Sequence, residues 1–340
     1  MAARTRIGAF LAFLAMSTPT VAQSGDVILA TNRHKQPGPI TLGSLGNAQA
    51  GSSVWYGHLT EQAALEAGKK TQILPDSDLS CSLVGEGAVV YVHGYNTSPA
   101  DALHRAAILQ KSSGRSVVAF VWPSTGWVFS YPAEEVRAEV SQKSLLAVLE
   151  KLALCAPESK IDIVAHSLGT RMVSHALSAK PPEGATFTGQ IGQVVLAHAD
   201  TDAGAFWDFY QSRLPAGVSL TVYASRNDNA LQLSGGARGA PRLGDRDGFS
   251  FFFGGPAVPP DTTLIDTSWY TRRLRLNHSD FLSEPDYLAD VIRALKGENV
   301  SSSLVHACPK SSGFHLAPSD VKADVRENIG CKCFTSDCTL

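Results

Sequence analysis

Residues 161–169, Ile-Asp-Ile-Val-Ala-His-Ser-Leu-Gly, constrain the fold more than any other segment of the chain. An apolar strand stops there, and residues 170–177 continue with the apolar spacing of a helix. A strand that becomes a helix within one residue forces the turning residue, Ser167, into a strained conformation that exposes its hydroxyl. Such turns usually carry glycine on both sides, whereas this chain has Ala165 before the serine and Gly169 after it. The segment is interpreted as a variant nucleophile elbow; the alternative is an ordinary serine in a helix-starting turn.

A second strand-to-loop transition lies upstream, where an apolar run ends in His93 and Gly94. Acyl transfer needs backbone N–H groups that hold the developing oxyanion, one after the nucleophile and one from a loop of this kind. These donors are predicted to be the amides of Leu168 and of either Tyr95 or Asn96. Gly94 lets the loop turn tightly enough to aim its amide inward. His93 is interpreted as a core histidine that supports the loop.

Five segments carry a family resemblance: Ala-Thr-Asn-Arg at 30–33, Val-Tyr-Val-His-Gly-Tyr-Asn-Thr-Ser at 90–98, Val-Trp-Pro-Ser-Thr-Gly at 121–126, Ala-His-Ser-Leu-Gly-Thr-Arg at 165–171 and Val-Val-Leu-Ala-His-Ala-Asp at 194–200. With these motifs the chain resembles a bacterial α/β-hydrolase family of unknown function, loosely grouped with esterases and lipases. The resemblance extends over most of residues 27–296. It implies the fold and the catalytic apparatus but supplies no substrate.

Strand and helix patterns alternate along the chain in the way this fold requires. Besides the two motif strands, strands are predicted at residues 27–30, 54–59, 116–122, 193–197, 219–224 and 262–265, and helices at 99–110, 133–154 and 284–296. The alternation predicts an α/β-hydrolase fold with a mostly parallel central sheet and helices on both faces. This domain is expected to span residues 23–297, followed by a Cys-rich C-terminal tail at 298–340.

The first 22 residues resemble a secretory signal peptide. Arg4 and Arg6 precede an apolar run at residues 7–16, and small residues lead to a cleavage site predicted after Ala22. The run is short for a bilayer span, and an uncleaved anchor is the alternative. We expect an exported protein, periplasmic or secreted, with no stable membrane span after processing.

Composition agrees with one enzyme domain, since 44% hydrophobic residues can fill a sizeable core. Basic and acidic side chains nearly balance at 29 and 31, with no basic stripe interleaved with aromatics. This balance argues against nucleic acid as a partner. The sequence does not specify an oligomeric state.

Six cysteines in an exported chain predict disulfides. Cys81 and Cys155 each precede a strand, and these strands are expected to be parallel neighbours, so their entry ends should lie close enough for a bridge. The other four are predicted to pair within the tail, Cys308 with one of the rest: Cys308, Cys331, Cys333 and Cys338. The alternative is a zinc site that uses His306, His315 and the Cys-x-Cys pair.

Two aromatic segments are predicted to line a substrate pocket. Residues 122–132 follow a strand at its carboxyl end, where open α/β sheets form active sites, and residues 248–260 form a Gly- and Pro-rich insertion. The candidate lining residues are Trp122, Trp127, Phe129 and Tyr131. Such loops suit a lipophilic acyl or alkyl group. The alternative is that they only cover the edge of the sheet.

A serine nucleophile needs a base that takes its proton, and this fold places that base after the last strand. His278 lies in the loop between the last predicted strand and the closing helix. His306 and His315 lie beyond that helix. His278 is therefore the predicted base.

The acid that orients the base should follow an earlier strand. Asp228 comes directly after the strand at 219–224 and is the predicted acid. Asp200 and Asp202, after the preceding strand, are the alternative because triads are defined by geometry rather than position. Asp280 is too near His278 in sequence to be a first choice.

These expectations describe a serine hydrolase that cleaves a lipophilic carboxylic ester through an acyl-enzyme, with neither a metal nor an organic cofactor. Two alternatives stay open. One is a catalytically silent protein of this fold that binds a ligand or a cell-envelope partner. The other is a thioesterase or peptidase, because the same triad serves all three reactions.

Overall fold

One sheet organises the described part of the chain. The computed structural model describes residues 25–34, 39–45, 50–85, 87–125, 130–180, 184–245, 261–270, 278, 280–300, 305–307, 313–317 and 319. Within these ranges the strands are β1 Asp26–Arg33, β2 Ala50–Thr60, β3 Leu74–Asp76, β4 Ala88–Val92, β5 Ser116–Phe120, β6 Ile161–His166, β7 Ile191–Ala197, β8 Ser219–Ala224, β9 Thr262–Asp266, β10 Val305–Ala307 and β11 Phe314–Leu316.

The strand order is β10-β11-β9-β8-β7-β6-β4-β5-β1-β2-β3. All neighbours from β11 to β1 pair in parallel, and the antiparallel pairs lie at the two edges. All five residues of β4 are buried, as expected for a parallel strand that is covered on both faces.

Helices cover both faces of this sheet. They are α1 Glu61–Leu65, α2 Pro99–Ser113, α3 Tyr131–Cys155, α4 Leu168–Ser178, α5 Ala203–Ala205, α6 Asn229–Arg238 and α7 Pro285–Leu295. Apolar residues of α3 and α4 share one core cluster with one face of the strands, and those of α2 and α7 share a second cluster with the other face. The predicted three-layer α/β architecture is confirmed.

Local sequence explains where α2 begins and ends. The Ser98 hydroxyl accepts a hydrogen bond from the Asp101 amide at 3.2 Å, and Pro99 starts the first turn. Gly114 ends the helix in the left-handed region at φ 67°, where glycine avoids the steric cost that other residues meet. These signals fix the direction in which the chain leaves the loop after β4.

Cys81 and Cys155 form a disulfide, with their Cα atoms 4.9 Å apart. The bridge joins the segment that enters β4 to the end of α3, which leads into β6. Because β4 and β6 pair in parallel with Ala88 opposite Ile161, these entry ends are neighbours. The predicted pairing is confirmed. The other four cysteines lie outside the described residues.

The described part of the predicted tail belongs to the sheet. β11 pairs in parallel with β9, and β10 pairs with β11 with His306 opposite His315. Leu316 and His315 are fully buried. The expected boundary after residue 297 therefore falls before two strands of the central sheet, which is a correction to the prediction of a tail outside the domain.

Among the residues that the structure describes, no helix combines the length and the apolar character needed to cross a membrane.

Candidate active site

Ser167 occupies the sharp turn between β6 and α4. Its φ of 52° and ψ of −126° are unusual for a residue with a side chain, as expected at an elbow. The neighbouring glycines permit the crowding there. A Cβ on Gly169 would lie 2.5 Å from the His93 carbonyl oxygen, and one on Gly94 would lie 2.7 Å from the Ser167 Cβ. Ala165 is fully buried, so the chain fits a methyl group where the common pattern has glycine.

His278 connects Ser167 to Asp228. The Ser167 hydroxyl donates to His278 Nε2 at 2.5 Å, across 111 residues of sequence. On the other side of the ring, Nδ1–H donates to Asp228 Oδ2 at 2.6 Å. Asp228 directly precedes α6, where its Oδ1 accepts from the Leu231 amide at 3.1 Å. The structure thus brings together the three residues predicted as nucleophile, base and acid.

Electrostatics favour an anionic Asp228 and a basic His278. Burial alone would raise the pKa of Asp228, but the charge of His278 and hydrogen bonds from His198 and His278 lower it well below its usual range. Burial disfavours the charged form of His278, yet the Asp228 charge and hydrogen bond outweigh it and raise the pKa of the imidazole. His278 is therefore basic enough to accept the proton of the Ser167 hydroxyl, and the charge of Asp228 stabilises the imidazolium that forms.

The two alternative acids have other partners. Asp200 Oδ2 accepts from the Tyr131 hydroxyl, and its Oδ1 accepts from the Ser234 hydroxyl at 2.8 Å. Asp202 caps α5, because its side chain accepts from the Ala205 amide at 2.8 Å. Neither carboxylate hydrogen-bonds to His278, so the geometry favours Asp228 over both.

Two further histidines border the site, and neither has a role predicted from the sequence. His198 Nδ1–H donates to Asp228 Oδ2 at 2.8 Å, and the side chain of His198 is 1% exposed. His166 Nε2–H donates to the backbone carbonyl of His278 and so helps to hold His278 in place. The only sequence signal is their position, since each lies at the carboxyl end of a central strand.

The loop after β4 is fixed by a buried carboxylate. Glu134, fully buried at the start of α3, accepts from the Asn96 amide at 3.1 Å and from the Ser124 hydroxyl at 2.7 Å. Its other oxygen accepts from the amide and hydroxyl of Thr125. Because the Asn96 amide is engaged in this way, Tyr95 is the remaining candidate from the loop for an oxyanion donor. Leu168 is the first residue of α4, where amides lack partners within the helix.

His93 supports the loop after β4, as predicted from the sequence. Its ring stacks on Trp122 with centroids 5.0 Å apart, and the Trp122 indole N–H donates to the His93 carbonyl at 2.8 Å. Burial lowers the pKa of His93 to about 3, so the ring is neutral. Trp122 is itself fully buried and supports the loop, which corrects its assignment to a pocket wall.

Tyr131 is the other described member of the predicted aromatic pocket. Its ring meets that of Tyr95 edge to face, with centroids 5.1 Å apart. Burial and the charge of Asp200 raise the pKa of the Tyr131 hydroxyl, which stays a hydrogen-bond donor. Trp127, Phe129 and the aromatic segment at 248–260 lie outside the described residues.

One group of described side chains could supply three metal ligands: His198, Asp228 and His278 offer ligand atoms within 4.8 Å of one another. In this arrangement, however, both Nδ1 atoms donate protons to the same carboxylate oxygen. A metal ion would need their lone pairs and would have to replace both hydrogen bonds. The donor set therefore fits a hydrogen-bonded carboxylate better than a metal.

Comparisons with known proteins found similarities of low sequence identity. An uncharacterized protein of Nostoc sp. (strain PCC 7120) is 22% identical over 239 residues, which cover 56% of this chain and 62% of that protein, less than two thirds of its length. An acetylxylan esterase structure is 14% identical, with 62% of this chain and 97% of that chain covered and a TM-score of 0.37. An esterase of Pyrococcus furiosus is 14% identical, with 72% and 88% covered and a TM-score of 0.39.

A family model described as alpha/beta hydrolase of unknown function (DUF900) matches residues 78–295. The matched segment runs from before β4 to the end of α7 and contains Ser167, Asp228 and His278. Because it covers more than half of the chain, this protein belongs to that family of alpha/beta hydrolases.

Proposed function

We propose that this protein is a serine hydrolase that cleaves carboxylic esters through an acyl-enzyme. The observation that carries the proposal is the double contact of His278. Its Nε2 accepts from the Ser167 hydroxyl at 2.5 Å while its Nδ1–H donates to Asp228 at 2.6 Å. A base that is held by a carboxylate and hydrogen-bonded to a serine hydroxyl at a strained turn is the arrangement that nucleophilic catalysis requires.

In the proposed reaction, His278 takes the hydroxyl proton as Ser167 Oγ attacks the ester carbonyl. The amides of Leu168 and Tyr95 hold the oxyanion of the tetrahedral intermediate. The imidazolium then protonates the leaving alcohol as the C–O bond breaks, which leaves an acyl group on Ser167. Water, deprotonated by the same histidine, attacks the acyl carbonyl carbon. The bond from that carbon to Ser167 Oγ then breaks, the imidazolium returns its proton to Oγ, and the carboxylic acid leaves.

Asp228 has a steady role in this cycle. Its negative charge stabilises the imidazolium, and its hydrogen bond keeps the proton on Nδ1 so that Nε2 faces the serine. It does not need to accept the proton itself. The lowered pKa of Asp228 supports this role, because the carboxylate stays ionised throughout.

An ester is the proposed substrate because an alkoxide is a weaker base than the amide anion of a peptide bond and is therefore easier to expel. The aromatic pair Tyr95 and Tyr131 supports a lipophilic acyl or alcohol part near the elbow. Thioesterase and peptidase activities use the same groups, so the assay must compare all three bonds.

We also propose that the protein is exported to the periplasm or beyond, with cleavage after Ala22. The Cys81–Cys155 disulfide supports export, since such bonds persist in oxidising compartments. N-terminal sequencing of protein from the periplasmic and extracellular fractions tests this. A chain that keeps its first 22 residues and stays in the cell would contradict it.

The activity test compares matched p-nitrophenyl esters, thioesters and p-nitroanilides of short and medium acyl chains. Wild type should prefer esters, and Ser167→Ala should lose about 10³-fold or more in kcat. Ser174→Ala is the matched control, because Ser174 is a buried serine of α4 whose hydroxyl donates to the Thr170 carbonyl of the same helix. It should keep the wild-type rate.

Two outcomes would contradict the proposal. Wild-type protein that hydrolyses none of the three bonds would favour the silent binding protein. Ser167→Ala that keeps most of the rate would remove Ser167 as the nucleophile. Preference for the thioester or anilide would keep the mechanism and correct the substrate class.

A further inference from the structure

We infer that His198 is a positioning residue for the proposed triad, which holds the Asp228 carboxylate against His278 and sets the pH range in which His278 works as a base. This inference rests on the proposed function. A triad of this type requires one histidine that is hydrogen-bonded to its carboxylate. Here a second histidine, His198 after β7, is hydrogen-bonded to the same carboxylate.

Both histidines share one carboxylate oxygen. His198 Nδ1–H donates to Asp228 Oδ2 at 2.8 Å, and His278 Nδ1–H donates to the same atom at 2.6 Å. The Leu231 amide occupies the other oxygen. Three donors therefore fix the plane of the carboxylate, and rotation away from His278 would break the bond from His198.

The position of His198 is set by its backbone. Its φ is 49°, one of three such values at non-glycine residues in the described chain, the others being Ser167 and Asn96. Each of the three residues lies just after the carboxyl end of a central strand, β4, β6 or β7. Strain of this kind persists where the surroundings impose it and often marks functional positions.

Packing from the next loop holds that conformation. The His198 amide donates to the Tyr223 carbonyl at 3.1 Å. Gly244 lies against the same turn, where an added Cβ would sit 2.1 Å from the Ala199 nitrogen and 2.5 Å from the His198 carbonyl carbon. The ring is thus presented to Asp228 in one orientation.

The far side of the ring has no comparable partner. His198 Nε2 is buried and makes no hydrogen bond within the described residues. The titratable groups that face the ring are His166 from β6, Asp228 before α6, the base His278 and Tyr287 from α7. Asp228 is the anion among them, so the ring acts on the site through its Nδ1–H.

The expected consequence follows from charge. A hydrogen bond from His198 stabilises the carboxylate and weakens its pull on a proton at His278. Without that donor the carboxylate stabilises the His278 imidazolium more strongly, so the imidazole becomes neutral only at higher pH. The freer carboxylate also orients His278 less well, which lowers the maximal rate.

The test uses two variants at position 198. His198→Phe keeps an aromatic ring without the N–H donor, whereas His198→Asn offers a side-chain N–H near the place of Nδ1. The measurements are the pH dependence of p-nitrophenyl ester hydrolysis and of the rate at which a fluorophosphonate labels Ser167. The labelling rate depends on the same base but needs no natural substrate.

His198→Phe should shift the acid limb of both profiles upward by about half a pH unit or more and lower the plateau kcat about tenfold, as expected for the loss of a hydrogen bond to a charged group. His198→Asn should restore most of the plateau kcat and most of the wild-type position of the acid limb. His58→Phe is the control, because His58 also pairs with a carboxylate, Asp76, at 2.9 Å but lies on β2, four positions from β6 in the sheet. His58→Phe should leave the acid limb at the same pH as in the wild type.

If His198→Phe changes neither the pH of the acid limb nor the plateau kcat, the inference is overturned while the proposed function stands. Wild type that is neither labelled nor active would instead contradict the proposed function. If His198→Phe does not fold, proton NMR of the wild type decides. Two downfield imidazole N–H signals that both shift when Ser167 is labelled support a shared carboxylate; a single signal contradicts it.

Discussion

Asp228 and His278 meet at 2.6 Å although 50 residues separate them in sequence, and the carboxylate is fully buried while the imidazole side chain is 15% exposed. The imidazole is thus less enclosed than the carboxylate that it binds. The burial of Asp228 keeps its charge poorly screened, so that it acts strongly on the ring. This asymmetry decides how the site should respond to pH and to mutation.

The first prediction concerns pH. His278 must be neutral to accept a proton, and its pKa is raised above the ordinary 6.5 mainly by Asp228 against the effect of burial. The acid limb of kcat/KM should therefore lie above pH 6.5, and Asp228→Asn should move it downward because the stabilising charge is gone. A limb below 6.5 in wild type, or one that Asp228→Asn leaves in place, would contradict this assignment.

The second prediction separates the two candidate acids. Asp228→Asn should lower kcat by about 10²- to 10⁴-fold, because it removes the charge and disturbs the tautomer of His278. Asp200→Asn should cost less activity and more stability, since Asp200 serves Tyr131 and Ser234. Steady-state kinetics and thermal melts of both variants provide the comparison. The assignment fails if Asp200→Asn gives the larger loss in kcat.

The third prediction concerns the buried carboxylate that fixes the loop after β4. Glu134→Ala leaves the amides of Asn96 and Thr125 without their acceptor and should cost about 3 kcal/mol of stability. It should also lower kcat more than it raises KM, because the displaced loop carries the proposed oxyanion donor. Glu134→Gln should have similar effects on stability and kcat. In either orientation of its amide, the NH2 group would face one of these two N–H donors instead of an acceptor.

Glu135→Gln is the matched control for that measurement. Glu135 is the next residue of α3 but pairs with the partly exposed Arg171 and Arg238. Its loss should cost about 1 kcal/mol and leave kcat unchanged. Equal effects of the Glu134 and Glu135 variants on kcat would show that Glu134 has no special relation to the loop.

The fourth prediction concerns the disulfide. Replacing both Cys81 and Cys155 with serine should lower the free energy of unfolding by about 4 kcal/mol, because the bridge closes a long loop. Activity at ambient temperature should persist. Reductant should lower the melting temperature of wild type but not of the double variant. Equal sensitivity of the two proteins to reductant would contradict this account.

Local signals in the sequence predicted much of the fold. The elbow was predictable because a strand and a helix meet at one residue, and the disulfide because two cysteines precede strands expected to be neighbours. β10 and β11 were missed because each has three residues, too few to show a period, and β11 pairs with the distant β9. Such pairing depends on the rest of the sheet.

The candidate site divides in the same way. Ser167, Asp228 and His278 each follow a strand in the order that the fold requires, so position along the chain pointed to them. His198 and Glu134 were missed because their roles depend on contacts across 30 and 38 residues that no local pattern shows. Trp122 was assigned to the pocket by its position, but its indole N–H turns inward to the His93 carbonyl.

The central claim is that Ser167 is the nucleophile and His278 its base. The most direct measurement is peptide mapping by mass spectrometry after reaction with a fluorophosphonate. We expect one adduct per chain, on Ser167, no adduct in Ser167→Ala, and labelling slowed by about 10³-fold or more in His278→Ala. An adduct on another residue, labelling that persists in Ser167→Ala, or wild-type protein that does not react would contradict the account.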